Sequence, residues 1–131
     1  MPSTQYPFVP KSTAYLERGQ FWALPLPNGT FGAACVVGRH TQDGMPSSRL
    51  FVAGVVDWNG SALPTANQLA GRPVAKYAFA HIRAITETGG KILGSAALDL
   101  SGVPRDLESL AVSTWGLNVP VRIAQDIAKG A

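Results

Sequence analysis

Cys35, His40, His81 and Asp57 are the side chains of this sequence with a claim to chemistry, so their types and spacing come first. A metal centre needs ligands at set intervals, such as a Cys-x-x-Cys pair or two histidines one helical turn apart. No two of Cys35, His40 and His81 stand that way, and no metal site is expected. Cys35 sits between Ala34 and Val36. A reactive thiol wants an electropositive, partly exposed setting, whereas Arg39 and His40 follow beyond the apolar run, so Cys35 reads as a core residue. Asp57 ends the apolar run of "VVDWNG". A carboxylate there could serve as a general acid or base. The favoured reading is a turn aspartate that bonds backbone N–H groups two residues on. "G-x-S-x-G" does not occur, and "TETGGK" falls between presumed strands, where a phosphate loop would have to open a helix. No catalytic residue and no cofactor is expected. The enzyme alternative is a site assembled from distant residues, with Asp57, His81 and Arg39 as its members.

Binding needs different residues. Protein interfaces draw their energy from a few aromatic and arginine anchors. Trp58, at the end of an apolar run and just before Asn59-Gly60, is the best such residue, and Arg39 lies beside it if the two apolar strands pair as neighbours. Trp58, Arg39 and Asn59 are therefore the candidate partner-binding residues. The alternative for Trp58 is a ring folded back to cap the core. A nucleic-acid surface would need exposed aromatics interleaved with cations. Most of Phe21, Trp22, Phe31, Phe51, Tyr77 and Phe79 lie inside apolar runs, so core is their default, and Arg18, Arg39, Arg72 and Arg83 frame a groove only if the fold gathers them.

The elements that must position these residues are short. Pro2, Pro7 and Pro10 mark residues 1–10 as an extended arm, ordered only if it docks. "FWALPLPNGTFGAACVVGR" (21–39) is too proline-rich for a helix. Its Asn28-Gly29 pair tolerates positive φ, which predicts a hairpin of Phe21–Leu26 with Thr30–Val37. Pro25 puts that end of the first strand at an edge or a bulge. Gly32, Ala33 and Ala34 leave room for close approach by another backbone or a large ring. "GRHTQDGMPSSR" (38–49) reads as a polar loop, and "LFVAGVVD" (50–57) as a strand buried on both faces. "WNGSALP" reads as a turn. Thr65 and Gln68 form a capping box for a short helix that Gly71 stops. Residues 72–85 are open between strand and helix, with alternation favouring strand. "KILGSAAL" (91–98) and "AVSTW" (111–115) read as strands, with one helical turn after Pro104. At the end, Asn118 is the candidate cap of a helix. Pro120, Ile123, Ala124, Ile127 and Ala128 form its apolar stripe, and Arg122, Gln125, Asp126 and Lys129 lie opposite.

The fold class that follows is α+β: a curved, mostly antiparallel sheet of about six strands, a partly open barrel, with a C-terminal helix packed on it. The whole chain, 1–131, reads as one domain. It is 46% hydrophobic and only 15% charged, far from disordered composition. The net charge of +3 comes from scattered Lys and Arg, which makes nucleic acid an unlikely partner on electrostatic grounds. One cysteine excludes an internal disulfide and is compatible with a reducing compartment. The start of the chain lacks a basic-then-apolar leader, and no stretch offers about 18 apolar residues in a row. A cytoplasmic protein with no membrane association is expected.

The residues also carry a resemblance. Gly19, the apolar Phe21–Leu24, Pro25-Leu26, Gly29, the small-residue stretch Gly32–Val37 and Arg39 resemble the opening of the immunity protein 26 family of bacterial polymorphic toxin systems. "GGKILGSAAL" matches a second block of that family through Ile92, Leu93 and Gly94, and departs from it at Lys91, where an aromatic residue would fit better. The likeness covers residues 19–98. It implies a non-catalytic protein that binds and neutralises a protein toxin, and it brings no catalytic residues. A small nucleic-acid-binding module and a small enzyme are the alternatives from other classes.

Overall fold

A computed structural model describes residues 7–10, 12–13, 16–42, 45–103, 115–116 and 119–130. The turn expected after Pro104, the strand residues 111–114 and the cap Asn118 lie outside these.

Five strands form one antiparallel sheet: β1 (Gln20–Pro25), β2 (Phe31–Gln42), β3 (Met45–Gly60), β4 (Val74–His81) and β5 (Gly94–Ser95), in spatial order β4-β3-β2-β1-β5. Three helices accompany them: α1 (Ala66–Leu69), α2 (Arg83–Thr86) and α3 (Val119–Gly130). The fold is α+β with an open, curved sheet and a C-terminal helix on it, with five strands in place of six.

The first hairpin forms where its residues demand it. The Leu26 N–H donates to the Thr30 carbonyl at 2.9 Å and the Gly29 N–H donates to the Leu26 carbonyl at 3.1 Å. Gly29 sits at φ +84°, the left-handed conformation that closes a three-residue hairpin loop. β5 pairs only with Gln20 and Phe21, so Pro25 faces no donor-demanding neighbour on that side. Register shifts between Gly32 and Ala33, Val36 and Gly38, and Arg39 and Thr41 bend the β2–β3 pair, and another at Val55–Val56 bends β3–β4.

Three expectations need correction. The described residues of 38–49 are strand and not loop: β2 and β3 continue as a ladder to Gln42↔Met45. A hairpin already nucleated by apolar pairs extends into polar residues, because backbone pairing does not require a core-facing side chain. "WNG" is not a turn either, since β3 runs on to Gly60 and accommodates Asp57 and Trp58 at the shift opposite Gly32–Ala33. The strand expected at 91–98 shrinks to Gly94–Ser95, because its neighbours pair elsewhere. Ile92 exchanges two backbone bonds with Phe8, which docks the N-terminal arm. The Gly71 N–H donates to the Ala97 carbonyl, and the Asp99 N–H to the Arg72 carbonyl. Residues 92–99 thus form a strip that pairs with β1 at one sheet edge and reaches the start of β4 at the other. The open region 72–85 resolves as strand β4 followed by the single turn of α2.

Both faces of the sheet are buried, which explains why "LFVAGVVD" shows no polar alternation. One face carries Trp22, Leu24, Ala34, Val36, Phe51 and Val55, with α3 packed on it through Ala124, Ile123 and Ile127. The other carries Phe21, Cys35, Val37, Val52, Val56 and Trp58, covered by Leu69 of α1 and by Leu93, Ala96 and Leu98 of the strip. Small residues at the crossing let α3 sit close: a Cβ on Gly32 would lie 2.5 Å from the Ala124 Cβ. The capping box is present as expected, with Thr65 accepting from the Gln68 N–H and Gln68 accepting from the Thr65 N–H. No helix among the described residues is long and apolar enough to cross a membrane.

Candidate functional site

Cys35 stands opposite Gly54 at the centre of the sheet, with no exposed surface. Burial pushes its thiol pKa up to about 12, against a smaller opposing pull from a backbone hydrogen bond of Gly54. A reactive thiol needs a partly exposed, electropositive setting, and Cys35 has the opposite one.

The distant-residue triad is not assembled. His81 pairs with Leu50, and Arg39 pairs with Phe51, so these two flank β3 in its first half. Asp57 lies toward the other end of β3, on the order of 20 Å away at the usual rise per strand residue. Asp57 is exposed and donates its backbone N–H to the Pro73 carbonyl at 2.9 Å. The His81 Nδ1 accepts the Arg83 N–H at 3.1 Å, which closes the strand-to-helix corner. Among the described residues no three His, Cys, Asp or Glu side chains gather as a metal site would require.

The expected partner patch also separates. β2 and β3 do pair as neighbours, but the antiparallel register places Arg39 against Phe51 and Asn59 against Gly32. Arg39 therefore stands at the level of Phe51, well along β3 from Trp58, and the expected adjacency is corrected. Trp58 is only 7% exposed, and its ring lies over Gly60, so it takes the core-cap position. Asn59 is engaged structurally: its Nδ2 donates to the Thr30 Oγ1 at 3.1 Å and to the Phe31 carbonyl at 3.2 Å. Of the arginines that could frame a groove, Arg18, Arg72 and Arg83 do not come together. Arg72 precedes β4 and Arg83 follows it in an ion pair with Glu87, while the Arg18 Nε donates to the Val37 carbonyl.

What the fold does build is a cleft of about 240 Å³ where the first hairpin meets the C-terminal half of α3. Leu26, Pro27 and Ala128 supply its apolar floor, and Asn28, Gln125 and Lys129 its polar rim. The rim is fixed on the hairpin side. The Asn28 Oδ1 accepts the Thr30 N–H at 3.0 Å and the Thr30 Oγ1 hydroxyl at 2.6 Å. Asn59 braces the same Thr30 from β3. Because the Thr30 N–H can only donate, its partner must be the Asn28 oxygen, so the Asn28 amide nitrogen is the end left outward. Among the described residues neither that nitrogen nor the Lys129 ammonium has a protein acceptor.

Sequence reasoning treated Asn28 as a turn residue, and Gln125 and Lys129 as the solvated face of a helix. Only the docking of α3 on the hairpin joins them, and the small Gly32 was the one sign of where that docking falls. No protein-family model matches this chain, and no curated protein or solved structure is significantly similar to it.

Proposed function

We propose that this protein is a non-catalytic binding protein, an immunity protein that neutralises a cognate bacterial toxin by direct contact in the cytoplasm. The observation that carries the reading is the size and make-up of the cleft. Sites for small molecules run to about 300–1,000 Å³. A space of about 240 Å³ with an apolar floor and a polar rim suits one large side chain of a protein partner. The burial of Cys35 and the separation of Asp57 from His81 support the same reading, because they leave these groups without a shared site. The likeness of residues 19–98 to the immunity protein 26 family supplies the class of partner.

The test is co-expression with each toxin-domain protein that is found encoded next to this gene. Restored growth and a stoichiometric complex on size-exclusion chromatography are expected, and a bulky Ala128→Trp substitution in the cleft should weaken both. Undiminished toxicity with no complex would overturn the proposal. Oligonucleotide binding that falls steeply with salt would favour the nucleic-acid module instead.

A further inference from the structure

We infer that the hairpin–α3 cleft receives an apolar side chain flanked by a carboxylate, on an acidic segment of the protein partner; this rests on the binding reading above and adds the partner's chemistry to it. The side chains of Leu26, Pro27 and Ala128 offer only carbon to whatever enters. The two outward rim groups, the Asn28 amide nitrogen and the Lys129 ammonium, are both donors. Gln125 can serve either way. Among the described residues no Asp or Glu lines the cleft. A group that pairs with two donors over an apolar floor must present acceptor oxygens beside a hydrophobic body, and a carboxylate does so with the stronger, charge-assisted bonds.

Two further points bear on the sign of the charge. Lys129 lies in the last turn of α3, whose end carries a partial negative charge of about half an electron. That field offsets part of the full Lys129 charge and leaves the rim positive. The chain as a whole is also positive, at +3, which favours encounter with an acidic surface. Preorganisation helps as well. The Thr30 and Asn59 bonds already hold Asn28 in place, so its donor loses little freedom on binding.

The experiment is a nitrogen-15 NMR titration of the full chain with three probes. The first is the peptide acetyl-GDFEG-amide, the second its neutral counterpart acetyl-GNFQG-amide, and the third the small acid N-acetylphenylalanine. The acidic peptide should shift the amides of Leu26, Asn28, Ala128 and Lys129. The neutral peptide should bind about threefold to fivefold more weakly, the scale of one exposed ion pair. Lys129→Gln should erase that difference, and Ala128→Trp should abolish the shifts of both peptides while the β2–β3 amides stay in place. Equal affinity for the two peptides, shifts centred elsewhere, or no shift at millimolar peptide would each overturn the inference. Tighter binding of N-acetylphenylalanine than of the acidic peptide would mark a small-molecule site and overturn it too. None of these outcomes bears on toxin rescue, so the partner's chemistry and the immunity role fail separately.

Discussion

Cys35 shows how completely the fold can silence a reactive residue type. Its thiol is raised from an ordinary 9.0 to about 12 by burial. In the unfolded chain it ionises near the ordinary value, while in the folded chain it stays protonated until about pH 12. The unfolded state therefore binds fewer protons between those values, and stability falls as pH rises through that window. The expected slope from this one group is about 1.4 kcal/mol per pH unit. Denaturation curves across the alkaline range should show it, and Cys35→Ala should remove it. Below pH 8 a thiol reagent should label Cys35 only with denaturant present; rapid labelling of the folded protein would contradict the burial. Trp58 carries the second expectation at this scale. With its ring on Gly60 and 7% exposure, Trp58→Ala should cost about 3–5 kcal/mol, the range for removing a large buried aromatic. Urea denaturation checks this, and a loss below 1 kcal/mol would mean that the ring contributes little to the core. The two readings of Trp58 were not separable in the sequence, because a tryptophan before Asn-Gly serves equally as anchor or cap. The deciding fact is the continuation of β3 past it.

The elements were more legible than the residues between them. Asn28-Gly29, the Thr65/Gln68 capping box and the stripe of Ile123, Ala124 and Ile127 each encode their structure locally, and each is found. The pairing of 38–42 with 45–49 was missed because these residues are polar and carry no apolar alternation, and the strand at 91–98 was misjudged because its partners, Phe8, Gly19–Phe21 and Gly71–Arg72, are remote in sequence. A polar stretch pairs when the ladder beside it is already formed, and an apolar one divides when it meets different neighbours along its length. Docking of α3 is the element-scale contact on which the candidate cleft depends. Its tightest point is Gly32 under Ala124, where an added methyl would lie 2.5 Å from the Ala124 Cβ. Gly32→Ala should therefore lift α3 and cost about 1–3 kcal/mol, the usual penalty of overpacking. Amide shifts should change along Val121–Lys129 and in Leu26 and Asn28 together. Unchanged shifts in either segment would show that the helix and the hairpin do not share the contact.

At the scale of the whole molecule, the strip of residues 92–99 determines whether the sheet behaves as a single cooperative body. It joins β1 through Leu93 donating to the Phe21 carbonyl and Ala96 donating to the Gly19 carbonyl, both at 2.9 Å. It joins the start of β4 through Asp99 donating to Arg72 at 2.9 Å and accepting from the Val74 N–H at 3.2 Å. Its Leu93, Ala96 and Leu98 also cover the second core face. If the strip is integral, the amides of Leu93, Ala96, Asp99 and Val74 should exchange with solvent through the same global opening as the central β2–β3 amides. Their exchange free energies should then fall together as denaturant is added. A loop merely resting on the sheet would open locally, with little denaturant dependence. Gly19 provides the selective perturbation. It sits at φ +96°, and a Cβ there would come within 2.9 Å of the Ala96 carbonyl oxygen. Gly19→Ala strains both the backbone and that contact, so Ala96 should lose protection first, with Leu93 next. Asp99 and Val74, held at the far end by their own pair of bonds, should follow only if the strip transmits the loss across the second face. Equal early loss at all four amides would show one closed unit, whereas loss confined to Ala96 and Leu93 would show two independent clasps at the two edges of the sheet.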